Sequence, residues 1–202
     1  MAKQYQRKDS FYNKAKAEGQ RCRAFYKIEE IDKKFKFFSC GMDVLDLGAW
    51  PGGWLQYAAD KIGERGLAVG VDLAEIQKCP QANIRFYQGD VRDSEFLEMM
   101  FSETRDKFDV VMSDLSPKLT GIRDVDMCGA AELARTALNI AKKVLKTGGS
   151  FTCKVFMSPE AQDFVKEVQS VFKICKREEL ESSRKSSSEF YVVGMGFKGN
   201  NI

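Results

Sequence analysis

The chain has 202 residues, of which 44% are hydrophobic and 30% are charged, and its formal net charge is +3. This composition is typical of a globular protein, and no apolar run is long enough to span a bilayer. Histidine is absent, which excludes Ser-His-Asp and Cys-His catalysis and histidine-ligated metals. The six cysteines form no Cys-x-x-Cys pair, so neither a zinc site nor a disulfide framework is expected.

Positive charge is concentrated at the N-terminus. Residues 1–36 contain eleven Lys or Arg and five Asp or Glu, a net charge of +6, whereas the remaining residues carry −3. A basic arm indicates a polyanionic partner, although a charged terminus that only maintains solubility explains the pattern equally well. The first ten residues lack the apolar segment of a signal peptide, so a cytoplasmic location is predicted.

Two helices are predicted in this arm, over residues 9–20 and 21–36. Apolar residues recur at helical spacing in the second helix, at Ala24, Ile28, Ile31 and Phe35. Lys27 falls on the same inward stripe. The alternative for Lys27 alone is a side chain whose stem packs on the core while its amine reaches water.

Short apolar strands alternate with helices from Met42 onward. The predicted strands are 43–47, 68–71, 84–88, 109–113, 150–156, 172–176 and 190–196. The predicted helices are 54–62, 94–104, 127–145 and 159–171. Such alternation predicts an α/β fold with a mostly parallel seven-stranded sheet and helices on both faces. The last two strands are joined by a polar link without a helix, which predicts an antiparallel C-terminal hairpin.

A glycine-rich turn between the first strand and its helix predicts a nucleotide-sized pocket. Gly48–Gly53 form this turn, and the helix begins near Trp54. Backbone N–H groups are unpaired at a helix N-terminus, and glycines let a ligand lie against the backbone. The turn has neither a Gly-x-Gly-x-x-Gly pattern nor a P-loop lysine, which argues against dinucleotide and triphosphate sites.

Four aspartates lie at the carboxyl ends of consecutive predicted strands: Asp46, Asp72, Asp90 and Asp114. Ligands bind at the carboxyl ends of strands in such sheets. Asp72 comes 24 residues after Gly48, where an acid commonly accepts hydrogen bonds from ribose hydroxyls. Asp90 is placed to accept one from an adenine amino group. Each aspartate alone could simply cap a helix, but together they favour an adenosine-containing cofactor.

Five segments then resemble, in order and spacing, the RrmJ/FtsJ family of RNA ribose 2′-O-methyltransferases: 46–54, 88–93, 111–117, 148–156 and 183–191. The likeness extends from about Asp9 to Lys198 and implies a Rossmann-like fold that uses S-adenosylmethionine. The family's Lys-Asp-Lys-Glu tetrad maps onto Lys27, Asp114, Lys154 and Glu189. Its cofactor contacts map onto Gly52, Trp54, Asp72, Asp90 and Asp114. Two departures are Trp50, where a small residue is usual, and Lys118, where asparagine is common.

The resemblance implies methylation of a uridine ribose in 23S ribosomal RNA, on the large ribosomal subunit. The alternatives are a transfer RNA ribose, a small-molecule substrate, or a catalytically silent module that binds RNA and the cofactor. A ribose hydroxyl needs a base, and a neutral lysine such as Lys154 can serve where histidine is absent. Asp114 would orient Lys154 and hold the amino-acid end of the cofactor, while Glu189 would orient Lys27 or the ribose.

The same interpretation divides the chain into a basic helical extension, residues 1–36, and a methyltransferase domain, residues 37–202. We expect a monomer with no metal and no membrane contact. The extension is expected to bind RNA phosphates through Lys3, Arg7, Lys8, Lys14, Lys16, Arg21 and Arg23. Aromatic residues available to stack on bases are Tyr5, Phe11 and Tyr12. A second basic group could extend this surface: Lys173, Lys176, Arg177, Arg184 and Lys185.

Overall fold

The computed structural model describes residues 9–118, 120–184 and 188–199 of the chain. Seven strands form one sheet: β1 Asp43–Leu47, β2 Leu67–Asp72, β3 Ile84–Gln88, β4 Phe108–Ser113, β5 Leu145–Phe156, β6 Phe172–Glu178 and β7 Glu189–Phe197. Their order is β3-β2-β1-β4-β5-β7-β6. Strands β1 to β5 pair in parallel, whereas β7 is antiparallel to both β5 and β6. The predicted mixed sheet with an antiparallel C-terminal hairpin is therefore confirmed.

Six helices accompany the sheet: α1 Ser10–Ala17, α2 Phe25–Phe35, α3 Gly53–Ile62, α4 Ser94–Glu103, α5 Arg123–Val144 and α6 Pro159–Val171. In the part of the chain that the structure describes, none of these helices is long and apolar enough to cross a membrane. The N-cap of α4 is Asp93, whose carboxylate accepts from the N–H groups of Glu95 and Phe96. This contact satisfies two of the backbone donors that a helix start leaves unpaired.

Alternating residues of the strands supply two apolar cores, one on each face of the sheet. On one face, Leu45 and Val111 pack with α5 and α6. On the other face, Val44 and Met112 pack with α2 and α3. Ile28 of α2 is completely buried in this second core. The basic N-terminal region thus packs directly on the sheet, although the division proposed at residue 36 stays a prediction.

Because β7 runs antiparallel to β5, its first residue lies at the edge of the sheet where the parallel strands have their carboxyl ends. In the register of β5 with β7, Phe156 lies opposite Glu189, and Lys154 lies opposite Tyr191. Side chains alternate along a strand, so Lys154, Tyr191 and Glu189 point to the face covered by α2 and α3. Asp114 directly follows β4, the parallel neighbour of β5. The fold therefore gathers these four residues at one edge.

Candidate active site

Lys154 and Asp114 form the central ion pair of this edge. The Lys154 amine lies 3.3 Å from Asp114 Oδ1, and it also donates a hydrogen bond of 2.9 Å to the Asp114 backbone carbonyl. The lysine side chain is only 8% exposed. Lys154 Nζ is 5.8 Å from the centre of the Phe156 ring, so an aromatic face borders the amine as well. The amine is thus held in one position by two oxygens of the same residue.

Lys27 and Glu189 form a second pair next to the first. The Lys27 amine lies 2.6 Å from Glu189 Oε1, and each of the two side chains is 11% exposed. Ser183 Oγ donates a further hydrogen bond of 2.8 Å to the same oxygen. Lys27 is in the first turn of α2 and Glu189 begins β7, so residues far apart in sequence meet here.

Tyr191 joins the two pairs. Its hydroxyl donates to Asp114 Oδ1 over 2.7 Å and accepts from the Lys27 amine over 3.0 Å. Our sequence reasoning missed this residue, because a tyrosine inside an apolar strand is most simply interpreted as core. One signal was available: Tyr191 follows Glu189 by two positions, and such residues share a face of the strand.

Charge and burial determine the protonation of this network. Burial alone would raise the pKa of Asp114, but the charges of Lys154 and Lys27 and the Tyr191 hydrogen bond outweigh burial and lower it. The pKa of Glu189 is likewise lowered, because Lys27 and Ser183 outweigh its burial. The pKa of Tyr191 is raised far above its usual range by burial and by the charges of Asp114 and Glu189. The network therefore holds two carboxylates and a protonated phenol.

A cavity of about 500 Å³ opens beside Asp114, a volume within the usual range for small-molecule sites. Gly48, Asp72, Asp90 and Asp114 are among the residues that border it. Gly48 has a φ of +83°, and a Cβ there would come within 3.0 Å of Leu115. A side chain is excluded at this point, so the backbone itself forms the wall. Carboxylates along a backbone wall fit the hydroxyl and amino groups of a nucleoside cofactor.

Asp72 and Asp90 border the same cavity and are held by different partners. Asp72 accepts from the backbone N–H groups of Trp50 and Ala74, both over 2.9 Å. Asp90 forms a two-pronged ion pair with the Arg92 guanidinium, at 2.6 Å and 3.0 Å. Hydrogen bonding to Arg92 lowers the pKa of Asp90 despite its partial burial. Both side chains are thus acceptors in fixed positions.

Gly52 and Trp54 do not border the cavity as the described residues define it. Gly52 precedes α3 with a φ of +102°, and a Cβ there would lie 2.8 Å from the Arg21 side chain. The Trp54 indole is buried, and its N–H donates to the Ala24 carbonyl over 2.8 Å. Its ring centre is 5.8 Å from that of Tyr191. Cofactor contact by these two residues stays a prediction.

Two arginines expected on the RNA-binding face, Arg21 and Arg23, donate to acceptors of the protein itself. Arg21 Nε donates to the Pro51 carbonyl over 2.9 Å, and its Nη2 donates to the Gln77 carbonyl over 2.6 Å. Arg23 pairs with Asp9 and donates to the Ser182 carbonyl. These contacts connect the N-terminal arm to the glycine turn and to the β6–β7 connection.

The other predicted RNA contacts are distributed as follows. Lys14 pairs with Glu18 at 3.9 Å on α1, where Lys16 is exposed. Phe11 packs on Tyr26, with ring centres 5.5 Å apart, whereas Tyr12 is largely exposed. The C-terminal basic group lies on β6 and in the connection that follows it: Lys173, Lys176, Arg177 and Arg184. Five predicted contacts lie outside the described residues: Lys3, Tyr5, Arg7, Lys8 and Lys185.

Residues 9–118, 120–184 and 188–199 contain no cluster of three His, Cys, Asp or Glu side chains that could hold a metal ion. All six cysteines are free thiols. Burial raises the pKa of the Cys153 thiol to about 12, and this cysteine lies beside Lys154 on the opposite face of β5. The titratable groups that the fold gathers at this edge are thus amines, carboxylates and a phenol.

Comparison with known proteins identifies the family. Residues 20–197 match the FtsJ-like methyltransferase family. A protein of Methanobrevibacter smithii named ribosomal RNA large subunit methyltransferase E is 43% identical over 190 residues, covering 94% of this chain and 90% of that protein.

Two solved structures share the fold. A protein of Plasmodium falciparum described as a ribosomal RNA methyltransferase has a TM-score of 0.76 at 24% identity, covering 89% of this chain and 99% of that one. Fibrillarin of Aeropyrum pernix, solved with S-adenosyl-L-methionine bound, has a TM-score of 0.53 at 17% identity, covering 78% and 67%. At these identities the two structures establish the fold. The family match and the Methanobrevibacter relative establish more: the chain belongs to the FtsJ-like methyltransferase family, enzymes that use S-adenosylmethionine to methylate RNA.

Proposed function

We propose that the protein methylates a ribose 2′-hydroxyl of large-subunit ribosomal RNA, at a uridine of its 23S-type RNA. The observation that carries this proposal is the Lys154–Asp114 pair, in which a largely buried amine lies 3.3 Å from a carboxylate at the mouth of a nucleoside-sized cavity. The name of the Methanobrevibacter relative supports the choice of ribosomal RNA over transfer RNA.

The cofactor supplies a methyl group on a positively charged sulfur, and the residues of this chain supply the base. A ribose hydroxyl becomes an effective nucleophile when a base in hydrogen-bond reach removes its proton. In its neutral form, the Lys154 amine accepts that proton. The resulting ammonium is stabilised by Asp114, whose pKa is lowered and which is therefore charged.

Lys27 is assigned to hold the ribose oxygen. Its amine is fixed between Glu189 Oε1 and the Tyr191 hydroxyl, at 2.6 Å and 3.0 Å. A second ammonium near Lys154 stabilises negative charge that develops on the oxygen during transfer. Glu189 and Tyr191 orient Lys27, so we expect them to affect the rate through its position.

We assign the cofactor to the cavity because three aspartate carboxylates of the protein border it. Asp72 is the proposed acceptor for its ribose hydroxyls and Asp90 for its adenine amino group, while Asp114 holds its amino-acid end. Gly52 and Trp54 are assigned to the cofactor from the family resemblance. The assignments of Asp72, Asp90 and Asp114 rest on their carboxylates and on the cavity that they border.

The proposed RNA-binding surface consists of basic residues near the Lys154–Asp114 pair and the cavity beside it, and residues 1–36 contribute most of them. Asp9 at the start of α1 pairs with both Arg23 and Arg184, which supports a position for α1 beside the β6–β7 connection and hence near Glu189. We further propose that the enzyme acts as a monomer in the cytoplasm. The name of the Methanobrevibacter relative, a ribosomal RNA methyltransferase, supports this location.

A methyl-transfer assay with labelled cofactor tests the proposal. Large ribosomal subunits, naked large-subunit RNA and transfer RNA are compared, and the modified nucleotide is mapped. We expect a 2′-O-methylated uridine in ribosomal RNA. Lys154→Ala should lower the rate by about 10²- to 10⁴-fold, while the Kd of S-adenosylhomocysteine stays within about twofold.

Lys146→Ala is the matched control, because Lys146 is on the same strand but pairs with Asp109 at 2.8 Å, at the opposite edge of the sheet. It should keep wild-type activity. An active Lys154→Ala enzyme would refute the assigned base. Methylation of transfer RNA alone would show that transfer RNA, and not ribosomal RNA, is the substrate. Cofactor binding without methylation of any RNA would favour a catalytically silent binding module.

A further inference from the structure

Two large apolar side chains are exposed where the cavity meets the solvent. Trp50 is 59% exposed and Leu73 is 64% exposed, and both border the cavity. Large hydrophobic residues that remain exposed at a concave site commonly mark a ligand contact, because a bound ligand removes them from water. Neither residue belongs to the Lys-Asp-Lys-Glu tetrad or to the cofactor contacts assigned above.

Both residues are fixed next to Asp72. The Trp50 N–H donates to Asp72 Oδ2 over 2.9 Å, and Leu73 follows Asp72 at the end of β2. Asp72 is the carboxylate that we assign to the ribose of the cofactor. Trp50 and Leu73 therefore border the cavity next to the carboxylate that we assign to the ribose.

Further apolar side chains border the cavity: Val91, Leu115, Pro117 and Leu133. Of the catalytic tetrad, only Asp114 borders the cavity among the described residues. Trp50 and Leu73 thus share the cavity with Asp72 and Asp90, at the nucleoside end. This placement favours contact with the cofactor over contact with the RNA ribose, which must reach Lys154 and Lys27.

We propose that Trp50 and Leu73 form an apolar clamp on the nucleoside of S-adenosylmethionine and of its product S-adenosylhomocysteine. The inference rests on the proposed assignment of Asp72 and Asp90 to that nucleoside. The clamp buries apolar area when the ligand binds, and an indole face adds a stacking contact for the adenine or its ribose. The clamp therefore sets the affinity for cofactor and product without taking part in the chemical step.

The tryptophan content of the chain gives a direct readout. There are two tryptophans, Trp50 beside the cavity and Trp54, which is 3% exposed with its N–H bonded to a carbonyl. Titration of the wild-type protein with S-adenosylhomocysteine should change the intrinsic fluorescence through Trp50. In Trp50→Ala this fluorescence change should be much smaller, because only Trp54 remains, and calorimetry should give a Kd raised about tenfold.

Leu73→Ala should raise the same Kd by about threefold, because less apolar area is removed. Ile174→Ala is the matched control, since Ile174 is a similarly exposed apolar residue on β6 that does not border the cavity as described. Its Kd should equal that of the wild type.

The binding of large-subunit RNA without cofactor separates the inference from the proposed function. We expect Trp50→Ala to bind this RNA as the wild type does. A raised RNA Kd with an unchanged S-adenosylhomocysteine Kd would overturn the clamp and assign Trp50 to the RNA, while the proposed function would stand. If the wild-type protein bound no S-adenosylhomocysteine, the proposed function would fail together with the clamp.

Discussion

At the scale of single residues, Tyr191 determines whether the two lysine–carboxylate pairs act as one network. Its hydroxyl lies 2.7 Å from Asp114 and 3.0 Å from Lys27. Because its pKa is raised, the phenol keeps its proton and always donates to Asp114. Both carboxylates and both amines are thus connected through hydrogen bonds that are shielded from water, where such bonds are strongest.

Replacing Tyr191 by phenylalanine should slow methyl transfer by about tenfold, because Lys27 is left with only one of its two fixed partners. The Kd of S-adenosylhomocysteine should change little, since the hydroxyl does not border the cavity. Single-turnover kinetics at saturating cofactor measure the rate. Tyr26→Phe is the control, because that hydroxyl donates to Glu18 instead. Equal rates for Tyr191→Phe and the wild type would show that the connection is not used.

Asp46 is a buried acid without a hydrogen-bond partner for either carboxyl oxygen among the described residues. Burial, reinforced by the charges of Asp114 and Asp72, raises its pKa well above the usual range. Its contribution to folding is therefore complete below the unfolded-state pKa of about 3.9, and it is lost as the pH rises through the folded-state pKa.

An asparagine at position 46 cannot ionise, so Asp46→Asn should be more stable than the wild type at about pH 8, by roughly 2 °C or more in Tm. The difference should shrink to nearly zero at about pH 4, where both side chains are neutral. Thermal unfolding across this pH range measures the effect. Asp106→Asn, an exposed site, should show no such trend. A pH-independent difference would contradict the raised pKa.

The sequence predicted these site residues to different degrees. Lys154 and Asp114 were predictable, because polar groups at strand ends in an apolar pattern indicate a site. Arg21 was assigned to RNA, yet its guanidinium donates to the carbonyls of Pro51 and Gln77. A long side chain can turn inward or outward from the same backbone position, and the choice depends on acceptors that are distant in sequence.

At the scale of secondary-structure elements, the connection between β6 and β7 is anchored on α2. The Glu30 carboxylate accepts from the backbone N–H of Glu181 over 2.9 Å, and from the N–H and hydroxyl of Ser182 over 3.2 Å and 2.9 Å. The next residue, Ser183, donates to Glu189. The same connection thus links α2 to the carboxylate that holds Lys27.

Glu30→Ala should destabilise the protein by about 1–3 kcal/mol, because three donors are left without their charged acceptor. It should also slow methyl transfer through the displaced Ser183 and Glu189. Chemical denaturation and single-turnover kinetics measure the two effects. Glu29→Ala is the neighbouring control, because Glu29 forms an ion pair with an exposed lysine, Lys33, one helical turn away. Similar effects in both variants would contradict a specific anchor.

The first residues of α5 and β5 could not be predicted from the local sequence pattern. Helix α5 begins at Arg123 rather than at 127, because Asp126 accepts from the N–H groups of Thr120 and Gly121 and stabilises an earlier start. Strand β5 begins at Leu145 rather than at 150. The prediction failed there because Gly148 and Gly149 indicated a loop, whereas Lys146 pairs with Asp109 and holds the chain along β4. Both corrections come from contacts that a sequence pattern does not contain.

At the scale of the whole molecule, charge asymmetry predicts how RNA binding responds to salt. The start of α1 lies beside Arg184 of the β6–β7 connection, near Glu189, whereas the C-terminal end of α5 leads into the start of β5, at the other end of that strand from Lys154. Lys14→Gln with Lys16→Gln should weaken RNA binding and flatten its salt dependence, by about one unit of slope for each RNA phosphate that is no longer neutralised.

Filter-binding or anisotropy titrations at several salt concentrations measure this slope. The matched control is Lys142→Gln with Lys143→Gln, which removes the same charge at the end of α5. The control should keep the wild-type slope. Identical slopes for both double variants would mean that net charge, and not the position of α1, governs RNA binding.

The place of β7 between β5 and β6 has a consequence for biosynthesis. A nascent polypeptide that has emerged only as far as β6 contains all residues of the parallel strands and of the cavity wall, but it lacks Tyr191 and Glu189. Its Lys27 would have neither of the partners that fix it. We therefore expect a chain that ends before β7 to lack methyl-transfer activity, because both partners that fix the Lys27 amine are missing.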